Sequence, residues 1–143
     1  MTTSIKLGGD EIRFISLFES ITGAVAHDCI IEDDRVIFII KAGNIGLAIG
    51  KKGINIKRVR DFLQKPIEVV EFAQSPEDFI KNTLAPARIK LITITERRDG
   101  KKIAMVTVNE KDRGIAIGKN GKNVARARSL ARRHYNIEDV IIS

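Results

Sequence analysis

Apolar residues recur along this chain at two different periods, and the alternation between the periods sets out the elements. Phe14, Phe18, Ile21 and Val25 fall at helical spacing, which predicts an amphipathic helix over roughly residues 10–26. Cys29-Ile30-Ile31, a polar turn at Glu32-Asp33-Asp34 and the run Val36 to Ile40 then predict a hairpin. Asn44 to Ile49 reads as a short helix and Gly53 to Leu63 as a longer one, with Ile56, Val59 and Leu63 on one face. Pro66 stops it, and Ile67 to Phe72 reads as a strand. The order then starts again. A helix is predicted over Pro76–Leu84, strands over Ile89–Thr95 and Ile103–Val108 around the turn pair Asp99-Gly100, then a short helix, a glycine loop, a helix over Lys122–His134 and a last strand at Val140-Ile141-Ile142.

The recurrence is written in the residues themselves. Gly46 to Arg60 aligns without gaps to Gly114 to Arg128 at an offset of 68 residues, and nine of the fifteen positions are identical. Chance does not give that. The chain therefore divides into two copies of one unit, residues 1–74 and 75–143, each ordered helix, strand, strand, helix, helix, strand. Ser75-Pro76-Glu77-Asp78 marks the junction, because Ser75 can cap the next helix and Pro76 suits its first position. Units this small bury limited core, so the two are expected to pack against each other.

Charge adds a direction. The 143 residues hold 25 Lys+Arg against 18 Asp+Glu, a net +7. Residues 1–74 carry ten of each sign, so the excess of fifteen over eight in residues 75–143 is the whole of it. In the first half, basic residues gather at Arg35, Lys41, Lys51, Lys52, Lys57, Arg58 and Arg60, the kind of clustering that meets a polyanion. No Trp and a single Tyr disfavour binding by aromatic stacking. No apolar run approaches the ~18 residues that span a bilayer, and the start Met1-Thr2-Thr3-Ser4-Ile5-Lys6 lacks the charged head and apolar block of a secretion signal. Cys29 alone makes no disulfide, and with only His27 and His134 besides there is no metal-ligand cluster. A cytoplasmic protein without metal or cofactor is expected. Cys29 reads as a buried strand residue, and the two histidines as surface or internally satisfied ones.

The two glycine loops carry the candidate chemistry. Gly50-Lys51-Lys52-Gly53 and Gly118-Lys119-Asn120-Gly121 each join a short helix to a longer one. Two glycines allow positive φ and a bare backbone, and the following helix points its free N–H groups at the same place. A nucleotide-hydrolysing P-loop is a poor match. Ile45 and Arg113 stand where its first glycine belongs, and Lys52 and Asn120 where its hydroxyl belongs. No Gly-x-Gly-x-x-Gly occurs, so a dinucleotide enzyme is unsupported.

Ile49-Gly50-Lys51-Lys52-Gly53-Ile54-Asn55-Ile56 and Ile117-Gly118-Lys119-Asn120-Gly121-Lys122-Asn123-Val124 both resemble the Ile-Gly-x-x-Gly-x-x-Ile core of KH domains. The element order resembles their type II, prokaryotic form, an α+β fold with a three-stranded sheet and three helices per unit. Two such units in tandem are most similar to the NusA-like family, in its short archaeal form. The polymerase-binding domain and oligonucleotide-binding barrel of the bacterial proteins are not expected in these 143 residues. The resemblance implies a non-enzymatic, monomeric protein with single-stranded RNA as partner, one strand crossing both units. It also implies a role in transcription termination or antitermination, with RNA polymerase or its transcription complex as a further partner. An RNA-binding factor of ribosome assembly or ribosomal-RNA processing would use the same loops. Carried onto this sequence, Gly50, Lys51, Lys52 and Gly53, and Gly118, Lys119, Asn120 and Gly121, would clamp the sugar-phosphate chain of about four nucleotides per unit. Asn55, Lys57 and Arg58, or Lys122, Asn123 and Arg126, would stand beside the same strand. Ile49 and Ile56, or Ile117 and Val124, would line an aliphatic groove for the bases.

Overall fold

A computed structural model describes residues 5–143, so the reading made above of Met1 to Ser4 lies outside the described residues. One compact unit covers Lys6–Phe72 and another Ala73–Ser143. The first is α1 (Gly9–Thr22), β1 (Ala26–Ile31), β2 (Val36–Ile40), α2 (Ile45–Ile49), α3 (Ile54–Leu63) and β3 (Ile67–Glu71). The second repeats it as α4 (Pro76–Leu84), β4 (Ile89–Glu96), β5 (Lys102–Val108), α5 (Arg113–Ile117), α6 (Lys122–Tyr135) and β6 (Ile137–Ile142). A single 3-10 turn, Lys51–Gly53 or Lys119–Gly121, links the last two helices of each unit.

Each sheet has the order of its sequence. β1 runs antiparallel to β2 and β3 parallel to it, and β4, β5 and β6 follow the same plan. The parallel pair is possible because the two helices between its strands return the chain to the sheet's starting end. The third strand of each unit is therefore an edge strand lying next to the helices that carry the glycine loop. β2 is buried along its whole length, Val36 to Ile40, the continuous apolar run of a central strand. Phe18 of α1 stacks on Phe38 of β2 with ring centroids 4.3 Å apart, and Val59 of α3 is buried in the same cluster. Burying each such phenylalanine contributes roughly 1.5–3 kcal/mol. In the second unit α4 packs on α6, with Phe79 and Leu130 fully buried and Phe79 edge-on to His134 at 5.3 Å.

Several boundaries differ from the hydrophobic pattern. α1 ends at Thr22 and not near residue 26, because Gly23 takes the left-handed conformation (φ 76) and its N–H closes onto Glu19 O. Val25 is thereby 40% exposed, and β1 begins at Ala26, whose N–H donates to the Glu19 carboxylate. β6 begins at Ile137, three residues earlier than its apolar run, since Asn136 ends α6 in the left-handed region and Ile137 is buried at once. α4 matches its sequence signal, and the Ser75 hydroxyl accepts the Asp78 N–H at 3.1 Å. Cys29 is buried in β1, His134 is buried beside Phe79, and His27 is exposed. No helix among the described residues is long and apolar enough to cross a membrane.

Candidate nucleic-acid interface

The two glycine loops adopt one conformation. Gly50 has φ 76 and ψ 171, Lys52 φ 56 and ψ 26, and Gly53 φ 75 and ψ 16; the second loop gives 79 and 168 at Gly118, 57 and 25 at Asn120, and 73 and 17 at Gly121. The first glycine of each loop sits where only glycine is at ease. A Cβ on Gly50 would stand 2.7 Å from the Asn55 side chain, and one on Gly118 would stand 2.8 Å from the Asn123 backbone nitrogen. At Gly53 and Gly121 only the positive φ favours glycine, their nearest neighbour being an Ile56 or Val124 methyl at 3.9 Å.

Asn55 and Asn123 explain why both copies keep an asparagine. Asn55 Nδ2 donates to Leu47 O at 2.8 Å, and Asn123 Nδ2 donates to Ile115 O at 2.7 Å. Each bond ties the first turn of the long helix to the short helix and closes the loop from behind. Through these bonds the two residues shape the loop beside which RNA contact is expected of them. The same strapping recurs at the entry to the short helix. The Asn44 side chain accepts the Val25 N–H at 2.9 Å, and the Asp112 side chain accepts the Arg88 N–H at 2.8 Å. Arg88 also reaches Asp112 through its guanidinium, and those hydrogen bonds hold the Asp112 carboxyl below the usual carboxylate range.

With the backbone held in this way, Lys51, Lys52, Lys57 and Arg58 stand exposed around the first loop, and Lys119 and Asn120 around the second. Lys122 is half-buried at the start of α6. Behind the first loop a groove of about 260 Å³ is lined by Gly53, Ile56, Lys57, Arg60 and Ile67. Its wall is the edge strand β3, and Ile49 is 39% exposed next to Gly50. Arg60 and Ile67 belong to this groove although the sequence reading did not place them there. The identity of Arg60 with Arg128 in the repeat was the available signal.

Three expectations are corrected. Arg126 is 8% exposed, and its Nε and Nη2 donate to Thr83 O at 3.1 and 2.7 Å, so it supports α4 and not a bound strand. Thr83 is in the last turn of α4, where carbonyls lack helical partners, and the arginine supplies one. Val124 is 7% exposed and underlies the second loop, leaving half-buried Ile117 as the accessible aliphatic residue there. Arg35 faces inward. Burial opposes its charge, but hydrogen bonds and proximity to Glu32 (2.6 Å) and Glu68 (3.2 Å) outweigh that and hold its pKa above the ordinary value. It takes no part in the basic cluster.

Comparison with known proteins matches this geometry. A KH domain model covers residues 12–98, and a model described as a NusA-like second KH domain covers residues 76–142. The chain is 39% identical over 136 residues to the "Probable transcription termination protein NusA" of Halococcus morrhuae, covering 95% of this chain and 96% of that one. It is 36% identical to the protein of the same name from Methanocaldococcus jannaschii, covering 95% of this chain and 74% of that one. The crystal structure of APE1850 superposes with a TM-score of 0.86 at 42% identity, covering 96% of this chain and all of that chain. With two congruent glycine loops on α-β-β-α-α-β units and relatives matched nearly end to end, the chain belongs to the archaeal NusA family of tandem KH-domain proteins.

Proposed function

We propose that this protein is a non-catalytic, single-stranded RNA-binding factor that takes part in transcription termination or antitermination, termination being the activity that its relatives' names carry. The observation that carries the reading is the duplicated loop. Two backbones of the same unusual conformation each aim the N–H groups of a helix start past exposed lysines, which is the chemistry of phosphate binding. The first loop would hold a phosphate between the Gly50–Gly53 backbone and the charges of Lys51, Lys52 and Lys57, with Arg58 farther along the strand. The second would use Gly118–Gly121, Lys119 and Asn120, with Lys122 at the helix start. Bases would lie over Ile49 and Ile56, or over Ile117, against the edge strand. Nothing in this scheme breaks or forms a covalent bond.

Charge reversal tests it. Replacing Lys51, Lys52, Lys119 and Asn120 by Asp leaves every loop glycine in place, and Asp tolerates the left-handed conformation of positions 52 and 120. Single-stranded RNA affinity is expected to fall more than about tenfold while the thermal midpoint changes little, since like charge replaces attraction at exposed sites. The parent should also show a log–log salt slope of roughly −3 to −4, from ~4–6 phosphate contacts at about −0.7 each. A folded four-residue variant that binds RNA as the parent does would overturn the reading.

A further inference from the structure

The edge strands of the two units are not equivalent, and the difference concerns what a base would meet. In a parallel pair, alternate residues turn both their N–H and C=O to the neighbour strand and the rest turn them outward. Pro66 O and the Phe72 N–H bond across to β2, so Ile67 and Val69 face outward on β3. The Ser143 N–H bonds across to Val106 O, so Glu138 and Val140 face outward on β6.

On β6 those outward carbonyls are taken. Arg128 Nε donates to Val140 O at 3.2 Å and to Asp139 Oδ1 at 2.8 Å, and Arg132 Nη2 donates to Glu138 O at 2.9 Å. The two arginines stand one turn apart on α6, and the two carbonyls lie at alternate residues of the strand. The repeat shows that this is particular to the second unit. Arg60 stands where Arg128 does but turns to Asp61, with Nε 3.9 Å from its carboxylate. Gln64 stands where Arg132 does, ends α3 in the left-handed region and donates its side-chain amide to Asp61 O. α6 is 14 residues long against 10 for α3, and that extra turn carries Arg132 alongside the strand.

We propose that Arg128 and Arg132 set the base preference of the second groove by covering the carbonyl acceptors of its edge strand. The inference rests on the RNA-binding reading above. A guanidinium has five N–H donors and no acceptor, and the Asp139 carboxylate beside it is already engaged by Arg128 Nε and the Val140 N–H, so a base at this edge meets guanidinium donors where the first unit shows bare carbonyls. A base with a keto oxygen at the exocyclic position, such as the O4 of uracil, finds a donor there. Bases that present an exocyclic amine, the N6 of adenine or the N4 of cytosine, find their acceptor occupied and leave a donor unpaired. The first groove, with Ile67 and Val69 offering both N–H and C=O, makes no such distinction.

The test compares the full parent chain with Arg128→Ala/Arg132→Ala, measuring fluorescence anisotropy with 12-nucleotide oligouridine, oligoadenosine and oligocytidine. Loss of two charges weakens all three RNAs alike, and stacking within each RNA is common to both proteins, so both effects cancel in the ratio of affinities. The ratio favouring uridine is expected to fall about fivefold in the variant, the size of one to two net hydrogen bonds. Arg132→Ala alone keeps the Arg128–Asp139 pair and should move the ratio part of the way, which guards against a double variant that folds poorly. A parent that binds the RNAs but shows the same ratio as both variants overturns this inference and leaves the RNA reading standing. A parent that binds none of them overturns both.

Discussion

Arg58 and Arg126 occupy the same place in the repeat, yet one is exposed and the other lies buried on a carbonyl 43 residues away. The next position on that helix face repeats the contrast, Phe62 being 68% exposed and Leu130 fully buried. The cause is the helix that packs behind. In the second unit α4 covers the Arg126–Leu130 face of α6, whereas α1 leaves the corresponding face of α3 open. A loop can thus be duplicated faithfully while the support behind it is not. Identical letters in the two copies then carry different work: in the first unit Arg58 is available to a ligand, and in the second its counterpart holds the fold.

The largest expected effect follows from that contrast. Arg126→Ala removes the partner of Thr83 O and empties a buried site. It should cost about 2–4 kcal/mol in chemical denaturation, the range for an unsatisfied buried polar group combined with lost packing. Arg58→Ala should stay within about 0.5 kcal/mol of the parent, as exposed substitutions do, while lowering RNA affinity. Equal destabilisation by the two changes would break the comparison.

A smaller effect distinguishes the glycines within a loop. Gly118→Ala brings a Cβ to 2.8 Å from the Asn123 backbone nitrogen in a glycine-only conformation, and should cost about 1–3 kcal/mol. Gly50→Ala has the Asn55 side chain as its nearest contacts, which can move at the expense of its bond to Leu47 O, and should cost less. Gly53→Asn should be nearly neutral to stability, since Lys52 and Asn120 already hold the left-handed region without being glycine. Denaturant midpoints for the three variants should fall in that order.

The smallest effect concerns acid. Asn44 and Asp112 strap their short helices in the same way, but only Asp112 titrates. Its folded pKa lies below the unfolded value of about 3.9, so the pair stabilises the second unit above that pH and the contribution is lost as pH falls through the folded value. Between pH 6 and pH 3 the thermal midpoint should drop further for the parent than for Asp112→Asn. Parallel curves would mean that the ion pair adds nothing beyond the strap.

Much of this was legible in the sequence for physical reasons, and the rest was not for others. The loops were legible because glycine at two fixed positions, twice, has few explanations other than backbone geometry. The α4 start was legible because Ser75 and Pro76 act on atoms within three residues. The end of α1 was missed because Val25 continues the apolar spacing past Gly23, and periodicity cannot see a left-handed cap. The fate of Arg126 was invisible, since its partner lies on another helix and its local pattern equals that of Arg58. Asn55 was identified as a residue of the site, but its bond to Leu47 O was not legible, because a side chain that shapes a loop and one that touches a ligand occupy the same place in a motif.

Backbone amide signals report the claimed contact most directly. In an NMR titration of the full chain with single-stranded RNA, the amides of Gly50–Gly53 and Gly118–Gly121 and of the first turns of α3 and α6 are predicted to shift together. Those of Thr83 and Arg126 should move little. RNA binding that leaves both loops unshifted, with changes confined to other surfaces, would contradict the account.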